Sequence, residues 1–158
     1  MSAVFEEKPD ELLRWVTFRL ADEAYGINVM QVQEVLRITD VAPVPGAPHF
    51  VMGIINLRGN VVTVLDMRKL LNLMPGEITD HSRIMVIESG NVTVGLLVDS
   101  VAEVVNISAS QIDPAPNVGN DDSSRYIQGV YSRTDEILIL IDLNKLISEE
   151  DRDAASLF

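Results

Sequence analysis

GIINLRGNVVTVLDMRKLL, residues 53–71, has an echo in GVYSRTDEILILIDLNKLI, residues 129–147. Laid over each other without a gap, the two share Gly53/Gly129, Asp66/Asp142, Lys69/Lys145 and Leu70/Leu146, and nearly every other apolar position meets an apolar one. The first segment reads as two strands joined about Arg58-Gly59-Asn60, where Gly and Asn supply the positive φ that tight hairpins require. Asp66 then precedes MRKLL, a position from which it caps a short helix whose Arg68 and Lys69 suit the carboxyl end. Asp142 stands before LNKLI in the same way.

A second echo lies upstream. YGINVMQVQEV (25–35) and VGLLVDSVAEV (94–104) share Gly26/Gly95, Val29/Val98, Val32/Val101, Glu34/Glu103 and Val35/Val104, at an offset of 69 against 76 for the first pair. The second copy therefore holds about seven extra residues between its matched blocks, and PAPNVGNDDSSR has the Pro, Gly, Asn, Asp and Ser content of the loop that would contain them. Two echoes in one order predict an internal duplication; chance matching of short apolar segments is the competing account.

The remaining chain fits short strands. RWVTFRL (14–20) alternates, with Val16, Phe18 and Leu20 on one face and Trp15, Thr17 and Arg19 on the other, which predicts a half-buried strand. MQVQEVLRI suggests a helical turn or a bent strand, and Pro43, Pro45 and Pro48 break regular pairing into a loop. RIMVIES and NVTVGLLVD form another hairpin about Ser89-Gly90-Asn91, after which VAEVV repeats the role of VQEVL. About five short strands per copy are too few for a large open sheet, whereas a small closed barrel removes exposed edges. The expected fold is all-β: two small barrels packed together, with short helical segments.

Composition narrows the function. The 158 residues are 47% apolar, with 24 Asp+Glu against 12 Lys+Arg and a net charge of −12. A phosphate-tracking groove or an anionic-membrane surface would have to be built against that field, which argues against nucleic acid and membrane as partners. The chain has no cysteine, which excludes disulfides, thiol nucleophiles and thiolate metal sites. MSAVFEEKPDELLRW has acids where a signal peptide needs a basic region, and no apolar run approaches the roughly 18 residues of a spanning helix. A cytoplasmic protein is expected.

No dinucleotide, phosphate-loop, zinc-protease, serine-hydrolase or kinase signature is present. His49 and His81 sit in or beside loops without carboxylates at metal-ligand spacing. Asp66 and Asp142 recur at strand ends, where catalytic carboxylates can stand, but capping accounts for both. EEKPDE, GNDDSS and SEEDRDA read as solvated acids, and GNDDSS lacks the spacing of a calcium loop. The reading is a non-enzyme without cofactor or metal. Glu34 and Arg58 stand beside Val/Leu-rich segments and suit a rim ion pair, with independent solvated charges as the alternative. Glu103 repeats the acid, but Thr134 occupies the position of Arg58, which confines the expected pair to the first copy. Val29, Val32 and Val35, with Val98, Val101 and Val104, are core residues unless some line a cleft between the two units, which would be a partner site.

YGI-x-V, VP-x-x-P, NLRG, GLLVD and the terminal LIDL, in this order and spacing across roughly residues 12–148, resemble the CheW-like family of bacterial chemotaxis coupling proteins. Thr63 departs from the proline many members carry after NLRG, a difference an edge strand would tolerate. The resemblance implies a single domain over 12–148 made of two interleaved SH3-like five-stranded β-barrels, approximately 14–82 and 83–148, between tails at 1–11 and 149–158. It implies a non-enzymatic adaptor that couples methyl-accepting chemotaxis receptors to the histidine kinase CheA. The receptor tip, a helical hairpin, would lie in a groove at Val16, Val29, Val32, Val35 and Val101. The kinase's regulatory domain would dock on the first barrel at Ile38, Val44 and Leu57, with Glu34 and Arg58 as the charged pair beside these surfaces. Rings with copies of itself are a further partnership the resemblance admits.

Alternatives remain open at this point. A paralogue of another chemosensory pathway, such as pilus motility, would share every motif. A small-molecule-binding or enzymatic double barrel predicts convergent polar residues that the sequence does not display. Single-stranded nucleic-acid binding wants a basic, aromatic-studded face, which a chain with 5% aromatics and a charge of −12 lacks.

Overall fold

The computed structural model describes residues 10–115 and 126–147, so most of the two tails and much of the PAPNVGNDDSSR loop lie outside the described residues. The strands are β1 (Leu12–Leu20), β2 (Glu23–Asn28), β3 (Val32–Arg37), β4 (Val51–Leu57), β5 (Asn60–Asp66), β6 (Arg83–Ser89), β7 (Val92–Val98), β8 (Ser100–Ser108), β9 (Ile127–Ser132) and β10 (Ile137–Ile141). Two short helices, α1 (Met67–Leu70) and α2 (Leu143–Leu146), follow β5 and β10. As expected, Asp66 Oδ1 accepts from the Arg68 amide at 3.0 Å and Asp142 Oδ1 from the Asn144 amide at 3.0 Å, which caps both helices. VMQ forms a 3-10 turn, Val29–Gln31, and VQEVLR the bent strand β3, so both halves of that expectation are present.

The strands make two five-stranded sheets, ordered β8-β1-β2-β10-β9 and β3-β6-β7-β5-β4. Each closes on itself. The chain leaving edge strand β3 bridges the opposite edge through Ala42 and Ile54, and the chain leaving β8 does so through Asp113 and Val130. The fold is all-β, with the two five-stranded units that were expected.

The division of the chain between the units differs from the expected 14–82 and 83–148. If β1–β5 are matched to β6–β10, the two sheet orders become one order, but each sheet takes its first hairpin from one copy and its last three strands from the other. The copies have exchanged parts. The copies meet at the antiparallel pairs β1–β8 and β3–β6 and at the parallel pairs β5–β7 and β10–β2, where Val64 faces Gly95 and Leu140 faces Gly26 in the same register. The bulges agree too: Val32/Glu34 in β3 answers the irregularity between Val16 and Phe18 opposite β8. Sequence echoes identify the copies but not the partner each hairpin chooses, because both copies offer the same edge pattern. Agreement of register and bulges rules out chance matching.

The exchange creates one shared core. Phe18, Leu20 and Ile27 of one sheet meet Leu65, Met85, Ile87 and Leu96 of the other, with Met67, Leu143 and Leu146 added by the helices. Each sheet also encloses a smaller core, about Trp15, Ile107, Leu138 and Leu140 in one and Ile55, Val62, Val64 and Ile84 in the other. β1 is therefore not half-buried: Val16, Phe18 and Leu20 face the shared core while Trp15 fills its own barrel. β5 lies between β7 and β4, so Thr63 is on an interior strand and is buried.

An ion pair fixes one of the two places where the chain crosses between sheets. Asp99, between β7 and β8, accepts from Arg68 Nε at 2.9 Å, from Arg68 Nη2, and from the Ala21 amide at 2.7 Å. Arg68 Nη1 also donates to the Met74 carbonyl at 3.0 Å. Burial pushes the Asp99 carboxyl up, but the hydrogen bonds from Arg68 and Ala21 and the charge of Arg68 outweigh it and hold the pKa below the usual range. A depressed carboxylate stabilises the fold above its unfolded pKa, and that contribution is lost as pH falls through the folded value. Arg68→Ala is expected to lower unfolding free energy by about 1–2 kcal/mol at neutral pH, with the deficit shrinking below about pH 4. Urea titrations of both proteins across pH measure this.

Gly53 supplies a second test. Its φ is +155°, and a Cβ there would stand 2.3 Å from the Ala42 carbonyl oxygen that bridges the barrel edge. Gly53→Ala is expected to cost at least about 2 kcal/mol in the same assay.

Candidate docking surfaces

Glu34 owes its position to the β3 bulge. The extra residue at Gln33 interrupts pairing with β6 and re-aims the carboxylate, as bulges do. Arg58 comes from the two-residue turn between β4 and β5, where Arg58 at φ +52° and Gly59 at φ +87° have the signs of a type I′ hairpin. Arg58 Nη1 donates to Glu34 Oε1 at 3.1 Å and Nη2 donates to Oε2, a bidentate pair. β3 and β4 are opposite edges of one sheet, so the pair spans the closure of that barrel. The hydrogen bonds from Arg58 lower the Glu34 pKa, against a small opposing effect of burial.

The pair is not confined to the first copy. Glu103, at the equivalent bulge of β8, accepts from Arg133 Nη1 at 2.9 Å. Arg133 aligns with Leu57 rather than Arg58, and the wider β9–β10 turn lets its guanidinium reach the rim from one residue earlier. Glu136 stands 3.6 Å from Arg133 and accepts from Arg19 at 2.8 Å, which extends this second pair into a four-residue chain.

The valines divide by depth. Val16 is only 6% exposed and belongs to the shared core, so it supports a surface without forming one. Val29, Val32 and Val101 are half-buried against that core, while Val35 is 41% exposed. Val32 pairs with Ile87 and Val35 with Met85, so both lie on the face of β3 that continues into the shared core. Val104, the counterpart of Val35, is 48% exposed opposite Val16. The structure thus sets two related valine rows on the edge strands β3 and β8. Val104 is signalled by the repeat; Met30, 86% exposed in the 3-10 turn, has no sequence signal because turn residues follow no period.

Ile38 and Leu57 are half-buried beside the smaller core of the β3–β7 sheet, and Val44 is half-buried in the proline loop. Val61 and Ile137, equivalent positions opening β5 and β10, are exposed apolar side chains that strand alternation gave no reason to single out. His49 and His81 lie in exposed turns, with His49 edge-on to Phe50 at 5.7 Å. Among the described residues, no group of three or more His, Asp or Glu could hold a metal ion, and no helix is long and apolar enough to cross a membrane.

Two closed sheets that share an exchanged core, with valine rows on their edge strands and ion pairs across their rims, define a double-barrel module with apolar surfaces outside its core. The chain belongs to the CheW-like domain family, whose model matches residues 14–151. Chemotaxis protein CheW of Bacillus subtilis (strain 168) is 33% identical over 142 residues, covering 90% of this chain and 91% of its own length. The protein of that name from Rhizobium meliloti (strain 1021) is 33% identical over 140 residues, 89% of this chain and 90% of its own. Protein FrzA of Myxococcus xanthus is 32% identical over 132 residues, 82% of each. The crystal structure of scaffolding protein TtCheW from Thermoanaerobacter tengcongensis superposes with a TM-score of 0.79 at 32% identity, covering 92% of this chain and 94% of that one.

The Arg58 turn separates stability from surface chemistry. Its positive φ penalises any side chain with a Cβ, while its ion pair is exposed and contributes little to stability. Arg58→Gly is therefore expected to keep or raise the thermal midpoint, and Arg58→Ala to lower it by no more than about 2 °C. Differential scanning calorimetry distinguishes the two.

Proposed function

We propose that the protein is a cytoplasmic, non-enzymatic adaptor that couples the tips of methyl-accepting chemotaxis receptors to the regulatory domain of the histidine kinase CheA. The observation that carries this reading is the pair of valine rows packed on a core common to both barrels. A receptor helix lying on Val29, Val32 and Val101 would touch side chains seated on Phe18, Ile87 and their neighbours, so its position bears on both sheets together. Val35 supplies the accessible rim of the same row, and Val16 its buried support. Family membership and similarity to proteins named for chemotaxis and for scaffolding support the assignment.

The kinase surface is the outer side of the β3–β7 barrel at Ile38, Val44 and Leu57. Leu57 immediately precedes Arg58, so this surface is continuous with the Glu34–Arg58 pair and takes its register from it. Binding there uses barrel-to-barrel contact, whereas the receptor uses helix-in-groove contact. Because the two surfaces share a frame, a receptor state that fits the groove better biases the kinase state that fits the same frame. Modest affinities suffice when many copies act together in rings or arrays. The similarity to Protein FrzA supports a second reading, a paralogue serving another chemosensory pathway through the same two surfaces. The gene's neighbours distinguish the two.

Val32→Asp and Val101→Asp are expected to weaken binding of a receptor-tip fragment by at least about tenfold while kinase binding persists, since an unpaired carboxylate would be desolvated in the groove. Leu57→Asp is expected to do the reverse. Titration calorimetry with each partner, and kinase activity reconstituted with and without the protein, measure both; equal binding by all variants would refute the surfaces, and unchanged kinase activity would refute the coupling.

A further inference from the structure

The apolar row on β3 ends on an electrostatic anomaly. Arg37 and Arg83 are directly opposite each other in the β3–β6 ladder, on the same face as Val32 and Val35. Like charges in that relation are destabilising, and opposite charges are the usual arrangement. In a chain with 24 acidic residues, the Arg37 side chain makes no hydrogen bond or ion pair among the described residues. Arg83 is oriented from behind: its Nη1 donates to the Asp80 and Ser82 carbonyls, each at 2.8 Å, which leaves the rest of its guanidinium available. The two arginines line a cavity of about 650 Å³ with Ile78, Thr79, His81 and Ser82. Asp80 is the one acid in that lining, and it forms no ion pair with either arginine among the described residues. The equivalent row on β8 ends differently, with Arg14 opposite Asn106.

We propose that Arg37 and Arg83 form a carboxylate-reading site at the end of the β3 valine row, which engages an acidic side chain of the helix that occupies the groove. The proposal deepens the receptor-groove reading and rests on it. From Val35 to Arg37 is two strand residues, about 6.6 Å, which matches about four residues of α-helix, roughly 6 Å. The partner therefore carries Glu or Asp about one helical turn from the apolar side chain that packs on Val35. Two arginines that line one cavity suit a carboxylate that accepts from both. Because the β8 row has a single arginine at its end, the pair also sets the direction in which the helix lies: its acidic turn is placed at the Arg37 end.

The test uses the full chain and a receptor cytoplasmic-tip fragment that carries a Glu one turn from an apolar residue, with binding followed by fluorescence anisotropy over a salt series. Arg37→Glu is expected to weaken binding by at least about tenfold and to flatten its salt dependence, with Arg37→Gln in between. Replacing the fragment's Glu by Arg should restore binding to the Arg37→Glu protein while weakening binding to the parent. The thermal midpoint of Arg37→Glu should not fall, because the new carboxylate faces Arg83 in place of a like charge. If Arg37→Glu binds as the parent does while Val32→Asp does not, the carboxylate site is refuted and the groove stands. If Val32→Asp also binds normally, or the parent does not bind the fragment, the groove reading falls and the site with it.

Discussion

Parallel pairing of β2 with β10 and of β5 with β7 is the constraint on which the rest of the molecule depends. Antiparallel neighbours can be joined by a tight turn, but a parallel pair needs a long crossover. Here the connections differ in kind: β5 reaches β7 through α1 and β6 of the same sheet, whereas β2 reaches β10 only after the whole β3–β7 sheet and β8–β9. One sheet is the contiguous run β3–β7, while the other is assembled from the two ends of the described chain, β1–β2 and β8–β10. The shared core of Phe18, Ile27, Leu65, Met85, Ile87 and Leu96 lies where the two sheets, joined by the β2–β3 and β7–β8 crossings, bring their second faces together. A fully buried side chain of this size contributes about 1.5–3 kcal/mol relative to exposure, so the common core holds the sheets as one body.

That body explains why the surface valines are informative. Val29, Val32 and Val101 would be ordinary fillers in a single barrel. On exchanged barrels they stand where each sheet's inward face runs out to its edge, half covered by the shared core. Edge strands are also where unpaired backbone and apolar side chains invite a partner. The bulges at Gln33 and Ala102 keep these edges from pairing as flat strands, and they turn Glu34 and Glu103 toward Arg58 and Arg133 across each barrel's closure. Thr17 makes the same point from inside: its hydroxyl donates to the Glu103 carbonyl at 2.7 Å and accepts from the Glu103 amide at 3.0 Å, filling the gap that the β8 bulge leaves in the ladder.

Much of this was legible in the sequence because it rests on local rules. Asp66 and Asp142 reveal their caps, Arg58-Gly59 its turn, and the repeated glycines and valines the duplication. The exchange was not legible, since it depends on which of two equivalent edges each hairpin meets, and no residue type encodes that choice. The double burial of β1 was hidden for a related reason: Trp15 and Phe18 obey a period of two, and the period does not say that both faces are covered. The Glu103–Arg133 pair was missed because alignment compares positions, whereas a guanidinium on a long side chain reaches past one.

The copies differ most where a symmetric frame most needs a difference. At the β7–β8 crossing, Asp99 receives Arg68 and the Ala21 amide. At the β2–β3 crossing, the counterpart of Asp99 is the exposed Met30, and the counterpart of Arg68 is Asn144, which accepts from Ser89 Oγ at 3.2 Å and Gln31 Nε2 at 3.4 Å. One crossing is tied by charged, partly buried bonds and the other by neutral, longer ones. Charge-assisted bonds are roughly twice as strong as neutral ones, so the Met30 side is the more weakly tied. That side carries Val29 and Val32. The duplication supplies two equivalent valine rows and rims, and the unequal crossings, together with Arg37 opposite Arg83 on one row and Asn106 opposite Arg14 on the other, give the double barrel a direction.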